Sequence, residues 1–129
     1  MIGEVSVTQI IAALARQWCQ VWVPFGDSNR RTDILFEKHD LIKRVQCKTG
    51  RLVRGAIEFR TDSTHRSQKG YKHRDYVGQV DYFGVYCPQT KKCYLVPISK
   101  TKKCCCFLRI DPPKTSKSKA RWAKDFELP

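Results

Sequence analysis

The chain has 129 residues, 41% of them hydrophobic, which suits one domain with its own apolar core. Lysine and arginine outnumber aspartate and glutamate by 25 to 12, a formal net charge of +13. That self-repelling surplus points to a polyanionic partner and, with no basic amphipathic helix in the pattern, to nucleic acid rather than a membrane. The longest apolar run, residues 10–15, is too short to span a bilayer, and the N-terminus lacks a basic region followed by an apolar segment. A cytoplasmic protein without a membrane partner is therefore expected.

Residues 3–18 carry Val7, Ile10, Ile11, Leu14 and Trp18 at the spacing of one helix face, and the stripe extended backwards reaches Glu4. A carboxylate in line with a core-facing stripe is unusual, although near a helix N-terminus it also complements the dipole. Residues 20–24 read as a short strand and 25–31 as a polar loop. Two runs rich in β-branched and aromatic residues, 32–36 and 43–48, then flank a polar break at His39-Asp40 and read as a hairpin.

With that pair as the loop, residues whose numbers sum to 79 face each other, so Asp33 lies opposite Gln46. His-Asp is not a favoured two-residue turn, and a four-residue loop centred there keeps the same register. Alternation puts Gln46 and Lys48 on one face and Leu41, Lys43, Val45 and Cys47 on the other. An acid, an amide and an ammonium therefore converge at one end of the ribbon. A loop longer by one residue would remove the cluster.

Past a break at Gly50, residues 56–60 give another short strand. Residues 61–74 read as a long basic loop suited to phosphates; together with Arg60 just ahead of it, Arg66, Lys69, Lys72 and Arg74 outweigh Asp62. Tyr71 and Tyr76 could donate to phosphates or stack. A second hairpin is expected from residues 80–86 and 93–98 around a turn at 88–92, and residues 104–110 could add a strand before Pro112-Pro113. The stretch to Lys124 is basic, while Trp122, Ala123 and Phe126 suggest that the C-terminus docks on the core. One helix followed by four or more strands argues for an α/β fold, with residues 1–129 as a single domain.

Seven cysteines contain no Cys-x-x-Cys pair, and His39, His65 and His73 lack zinc-finger spacing. Unpaired thiols packed as small hydrophobes are expected. Hard cations need only one or two acids, carbonyl oxygens and water. Asp33, Glu4 and the Gln46 side-chain carbonyl could hold one, with Lys48 as a point charge for a phosphate oxygen or a water.

The order of Glu4 on a first helix, Asp33 opening one strand and Gln46-Cys47-Lys48 closing the next resembles the PD-(D/E)XK nuclease superfamily. More narrowly, the blocks at 44–49, 80–86 (Val-Asp-Tyr-Phe-Gly-Val-Tyr), 94–97 (Tyr-Leu-Val-Pro) and 108–110 resemble its small homing endonucleases of the cyanobacterial group I intron type. The likeness runs from Gly3 to Leu128. It implies a restriction-endonuclease-like αβββαβ core, a mixed sheet with flanking helices, and cleavage of double-stranded DNA with Mg²⁺ (or Mn²⁺).

The same resemblance implies Glu4 and Asp33 as metal ligands and Lys48 as the charge stabiliser; with the Gln46 carbonyl as a third metal ligand, the candidate catalytic residues are Glu4, Asp33, Gln46 and Lys48. Duplex binding then falls to Arg60, Arg66, Lys69, Tyr71, Lys72, Arg74 and Tyr76. Gln46 stands where the superfamily has a second acid, which leaves the number of metals open, and Thr32 stands where it has proline. Site-specific cleavage is the expectation; a four-way-junction resolvase or a DNA-binding protein that has lost catalysis are the alternatives. One cluster cuts one strand at a time, so a homodimer or homotetramer is expected, with contacts in the 82–86 hairpin and at Cys105 and Phe107.

Overall fold

Ser6, Ile10, Ala13 and Leu14 form the buried side of α1 (Ile2–Arg16), with Val7 and Ile11 partly buried beside them. The computed structural model describes residues 2–26, 31–67, 70–74, 79–112 and 120–129, with backbone alone for 63–67 and 70–74. The stripe expected to reach Trp18 stops short of it. The helix ends at Arg16, and Trp18 takes a left-handed φ of 62° that turns its ring into solvent, 96% exposed.

Ten strands follow: β1 (Gln20–Trp22), β2 (Ile34–Lys38), β3 (Leu41–Thr49), β4 (Arg51–Val53), β5 (Ala56–Arg60), β6 (Ser63–Ser67), β7 (Gly70–Arg74), β8 (Tyr82–Cys87), β9 (Lys92–Pro97) and β10 (Cys105–Arg109). A mixed sheet runs β1-β2-β3-β8-β9, antiparallel except where β3 and β8 lie parallel. Strands β10-β5-β4 form a smaller sheet, and β6 and β7 pair with each other as a two-stranded ribbon. The hairpins expected at 32–48 and 80–98 are both present.

Helix α1 covers one face of the mixed sheet, packing on Ile34, Phe36, Val45 and Cys93. On the other face Phe83, Val85, Cys87, Tyr94 and Val96 meet Ile57, Phe59, Cys106 and Leu108 of the smaller sheet. The C-terminus docks as expected: Phe126 packs against this second core, and the N–H of Leu128 donates to the Cys93 carbonyl at 2.8 Å. Cys87, Cys93 and Cys106 are buried thiols.

Three expectations need correction. Residues 61–74 are not a structureless loop but carry the β6–β7 ribbon, whose alternation was hidden because nearly every residue in it is polar. Strand β4 was also missed: Gly50 does not end the pairing, since Arg51–Val53 returns on β5 through a turn at Arg54 and Gly55. The second helix of an αβββαβ core has no counterpart among the described residues, where α1 is the one α-helix and two hairpins occupy the chain between β3 and β8.

The close fit of these layers fixes two glycines. A methyl added at Gly50 would come within 2.6 Å of Ile57 Cγ2 and 3.0 Å of Val85 Cγ1, and one at Gly84 within 3.0 Å of Ile10 Cγ2. Gly50→Ala is expected to cost about 1–3 kcal/mol in denaturant unfolding through overpacking. Gly3→Ala, whose methyl would meet nothing within 4 Å, is the control, and equal losses in both would refute the close-packing account.

Candidate active site

The β2–β3 register is the one that the His39-Asp40 loop dictates, with Ile34 opposite Val45 and Lys38 opposite Leu41. His39 and Asp40 both adopt left-handed backbone, φ 54° and 63°. The pair thus makes the tight turn despite its unfavoured sequence, helped by the tolerance of histidine and aspartate for that region.

At the open end the ladder gives way at Asp33. Its N–H donates to the Val45 carbonyl at 2.9 Å, and its carboxylate Oδ2 accepts the N–H of Cys47 at 2.8 Å. An acidic side chain thereby replaces a backbone carbonyl as partner to β3. That substitution ties the carboxylate to the strand carrying Gln46 and Lys48.

Two effects compete on this carboxyl. Burial pushes it above the ordinary aspartate value, while the Cys47 N–H and the Lys48 ammonium pull the other way without prevailing. The neighbouring Cys47 thiol is raised far more, by burial first and then by the charge of Asp33. It stays a protonated core group on the α1 side rather than a nucleophile.

Val45 and Cys47 point into the α1 core, so Gln46 and Lys48 point to the opposite face, beside Phe83 and Val85 across the parallel ladder. There the Gln46 side-chain carbonyl oxygen is buried with no hydrogen-bond partner among the described residues. An orphaned acceptor of this kind is costly unless something absent from the chain fills it. Lys48 Nζ donates to the main-chain carbonyl of Asp62 at 3.4 Å.

A divalent cation fits this donor set. Asp33 Oδ2 is committed to Cys47, which leaves Oδ1, and the Gln46 oxygen is a hard, neutral ligand. Among the described residues no three His, Cys, Asp or Glu side chains converge. A cation would therefore rest on few protein ligands and keep water or phosphate on the rest.

Glu4 lies in the first turn of α1, with its residue exposed. The Ser6 hydroxyl, buried two residues on, hydrogen-bonds the Thr49 hydroxyl and so seats this end of the helix against the residue after Lys48. The structure thus brings Asp33 and Lys48 together, aligns Gln46 with them, and leaves Glu4 exposed on the first turn of α1, its side chain without a hydrogen bond or ion pair among the described residues.

Of the expected DNA contacts, Arg66 lies on β6 and Tyr71, Lys72 and Arg74 on β7, with Arg66 opposite Tyr71 and Ser63 opposite Arg74. Lys69 and Tyr76 lie outside the described residues. Arg60 is already engaged: its Nη2 and Nε donate to Asp62 Oδ1 at 2.8 and 3.1 Å.

Two features escaped the sequence. Asp62, counted there only against the basic residues, has a nearly buried side chain and a main-chain carbonyl that accepts Lys48 Nζ. Asp81 and Arg44 clamp β8 to β3 reciprocally: the Asp81 N–H donates to the Arg44 carbonyl at 2.9 Å, and the Arg44 N–H to Asp81 Oδ2 at 2.8 Å. Burial pushes the Asp81 carboxyl up, but its bonds to Arg44 hold it below the usual range. The 80–86 block could have signalled this clamp, being an acid just ahead of an apolar strand; nothing local signals Asp62.

Comparison with known proteins bears on this arrangement. The family described as PD-(D/E)XK endonuclease matches residues 1–129. No curated protein matches the chain in sequence. Among solved structures, the bacterial homing endonuclease I-Ssp6803I is similar in fold, with a TM-score of 0.76 and 17% identity over 97% of this chain and 85% of that one.

Proposed function

Because the chain belongs to the PD-(D/E)XK endonuclease family, we propose that it is a divalent-metal-dependent endonuclease that hydrolyses phosphodiester bonds in double-stranded DNA at specific sites. The observation that carries the reading is the buried Gln46 oxygen, unpartnered among the described residues, on the strand that also binds the Asp33 carboxylate. Both are hard oxygen donors, the kind of pair that a divalent cation with its waters would take up.

A bound Mg²⁺ or Mn²⁺ would supply a Lewis acid for the phosphate and a lowered pKa for attacking water. The chain's own residues supply the rest. The Cys47 N–H fixes the Asp33 carboxylate, and Gln46 offers a neutral oxygen, so the site carries less negative charge than one with two acids. Lys48 places an ammonium where charge accumulates on the phosphoryl oxygens as the bond breaks. Glu4, exposed in the first turn of α1, would serve as a further ligand.

The β6–β7 ribbon favours duplex DNA as substrate. A two-stranded ribbon fits the major groove, and this one bears Arg66, Lys72 and Arg74 and begins one residue after Asp62. The decisive experiment offers linear duplex and a four-way junction, each with Mg²⁺ or chelator. Cleavage of the linear duplex with Mg²⁺ alone is expected. Cutting of the junction only would assign a resolvase, and binding without cutting would assign a protein that has lost catalysis.

Two cuts in one encounter require two copies, so a dimer or tetramer is expected. Tyr82 and Tyr86, expected as contact residues, instead pack against the α1 core from a central strand, while Phe107 is 47% exposed. Among the described residues the most exposed large apolar side chains, Trp18 and Phe25, flank the edge strand β1, with Val23 and the hairpin residues Leu41 and Ile42 also exposed. Mass measurement in solution, with and without DNA, checks this expectation. A monomer in both conditions that makes concerted double-strand breaks would refute it.

A further inference from the structure

Lys48 is held from outside the hairpin that carries it. The carbonyl that receives its ammonium, that of Asp62, belongs to a segment pinned at several points. The N–H of Thr61 donates to the Cys104 carbonyl at 3.0 Å, and its hydroxyl donates to the Lys102 carbonyl at 2.5 Å. The Asp62 side chain is only 4% exposed, and Arg60 grips one of its oxygens through Nη2 and Nε.

A carboxylate so far from water is costly unless paired, so Arg60 cannot be removed from it without consequence. The Arg60 side chain is nonetheless 60% exposed. The pair therefore spans the distance from solvent to Lys48, at the root of the β6–β7 ribbon. A staple needed only for the fold could be apolar here; what a charged pair adds is a fixed direction for the peptide between its members and β6.

We infer that Asp62 is a positioning residue for the cleavage reaction, with Arg60 as its clamp: the pair fixes the Asp62 carbonyl, and that carbonyl holds the Lys48 ammonium in the cluster with Asp33 and Gln46. The inference rests on the nuclease reading for the reaction that Lys48 serves, but the contact itself is testable without cleavage. It gives Arg60 a different primary duty from the phosphate contact expected from sequence.

The test uses the full chain with Asp62→Asn, Arg60→Ala, Arg60→Lys and the double variant Arg60→Ala/Asp62→Asn. Acylation of lysines by an acetylating reagent, read residue by residue by mass spectrometry, should show Lys48 modified several-fold faster in Asp62→Asn and Arg60→Ala. Lys92, paired with Glu127, should be unchanged. Single-turnover cleavage at saturating protein should fall by about 10–100-fold, as expected when a charged group is misplaced by an ångström or less. DNA affinity should stay within a few fold, the double variant should be no slower than Asp62→Asn, and Arg60→Lys should recover part of the rate.

Unchanged Lys48 acylation in folded Asp62→Asn overturns the inference, as does a loss confined to DNA affinity, which would make Arg60 a plain phosphate contact. A lowered unfolding midpoint with wild-type acylation and rate would leave the pair a structural staple and equally overturn it. Should Asp62→Asn fail to fold, the Arg60 variants carry the same readouts. A wild-type chain inert on DNA would sink the nuclease reading, and acylation would still decide whether Asp62 holds Lys48.

Discussion

Asp33→Asn is expected to abolish metal-dependent strand cleavage, by about a thousandfold or more, while raising the unfolding midpoint of the metal-free protein. The two effects have one cause. Burial disfavours the charged carboxylate, and asparagine keeps an oxygen for the Cys47 N–H without the charge. Because the Asp33 pKa is raised on folding, its ionised form opposes folding fully above the folded pKa. That penalty fades as pH falls through the folded value and is gone below the unfolded one. The stability gain of Asp33→Asn should therefore be largest at neutral pH and shrink in acid.

The same shift sets the acid limb of activity. A carboxylate must be ionised to hold a cation, so cleavage should fail at a higher pH than an ordinary aspartate would allow, and more metal should move that limb down. Mg²⁺ or Mn²⁺ should raise the midpoint of the wild type and leave that of Asp33→Asn in place, because a ligand stabilises only the state that binds it. Lys48→Ala should lose cleavage by about 10²–10³-fold, as when one transition-state donor is removed, with DNA binding within a few fold. Full nicking by either variant, or an Asp33→Asn protein less stable than wild type at neutral pH, would refute the assignment.

The second large effect is expected on the ribbon. Replacing Arg66, Lys69 and Lys72 together by neutral residues should weaken binding to every duplex alike. It should also flatten the dependence of log affinity on log salt by about 0.9 per lost phosphate contact, or about 2.7 for three. Sequence preference should survive, because phosphate contacts position the duplex without reading it. Titrations at several salt concentrations on two unrelated duplexes check this. An unchanged slope would place the DNA surface elsewhere, and loss on one duplex only would mean that these residues read bases.

The sequence by itself determined the hairpin that carries the cluster. Period-2 alternation and a two-residue loop leave a single parity for Gln46 and Lys48, and both are local properties of 33–48. It also determined α1, from the stripe Val7 to Leu14, and the basic character of 60–74, which is a matter of counting. What it could not determine was set by contacts distant along the chain.

Trp18 continues the apolar stripe, yet the turn into β1 reverses it into solvent. The sequence of the β6–β7 ribbon is almost entirely polar, so it carries no hydrophobic period, and backbone pairing defines it. Asp33 meets the Cys47 N–H through its side chain because the β2–β3 ladder ends at the Ile34–Val45 pair, so that the N–H facing β2 is taken by the carboxylate. The orphaned Gln46 oxygen arises only once the second core, with Phe83 and Val85, closes over that face. Asp62 reaches Lys48 because β4 and β5 fold back across the small sheet. Loop closure of that kind is decided by the packing of Ile57 and Phe59 against the mixed sheet, and the residues next to Asp62 in sequence carry no trace of it.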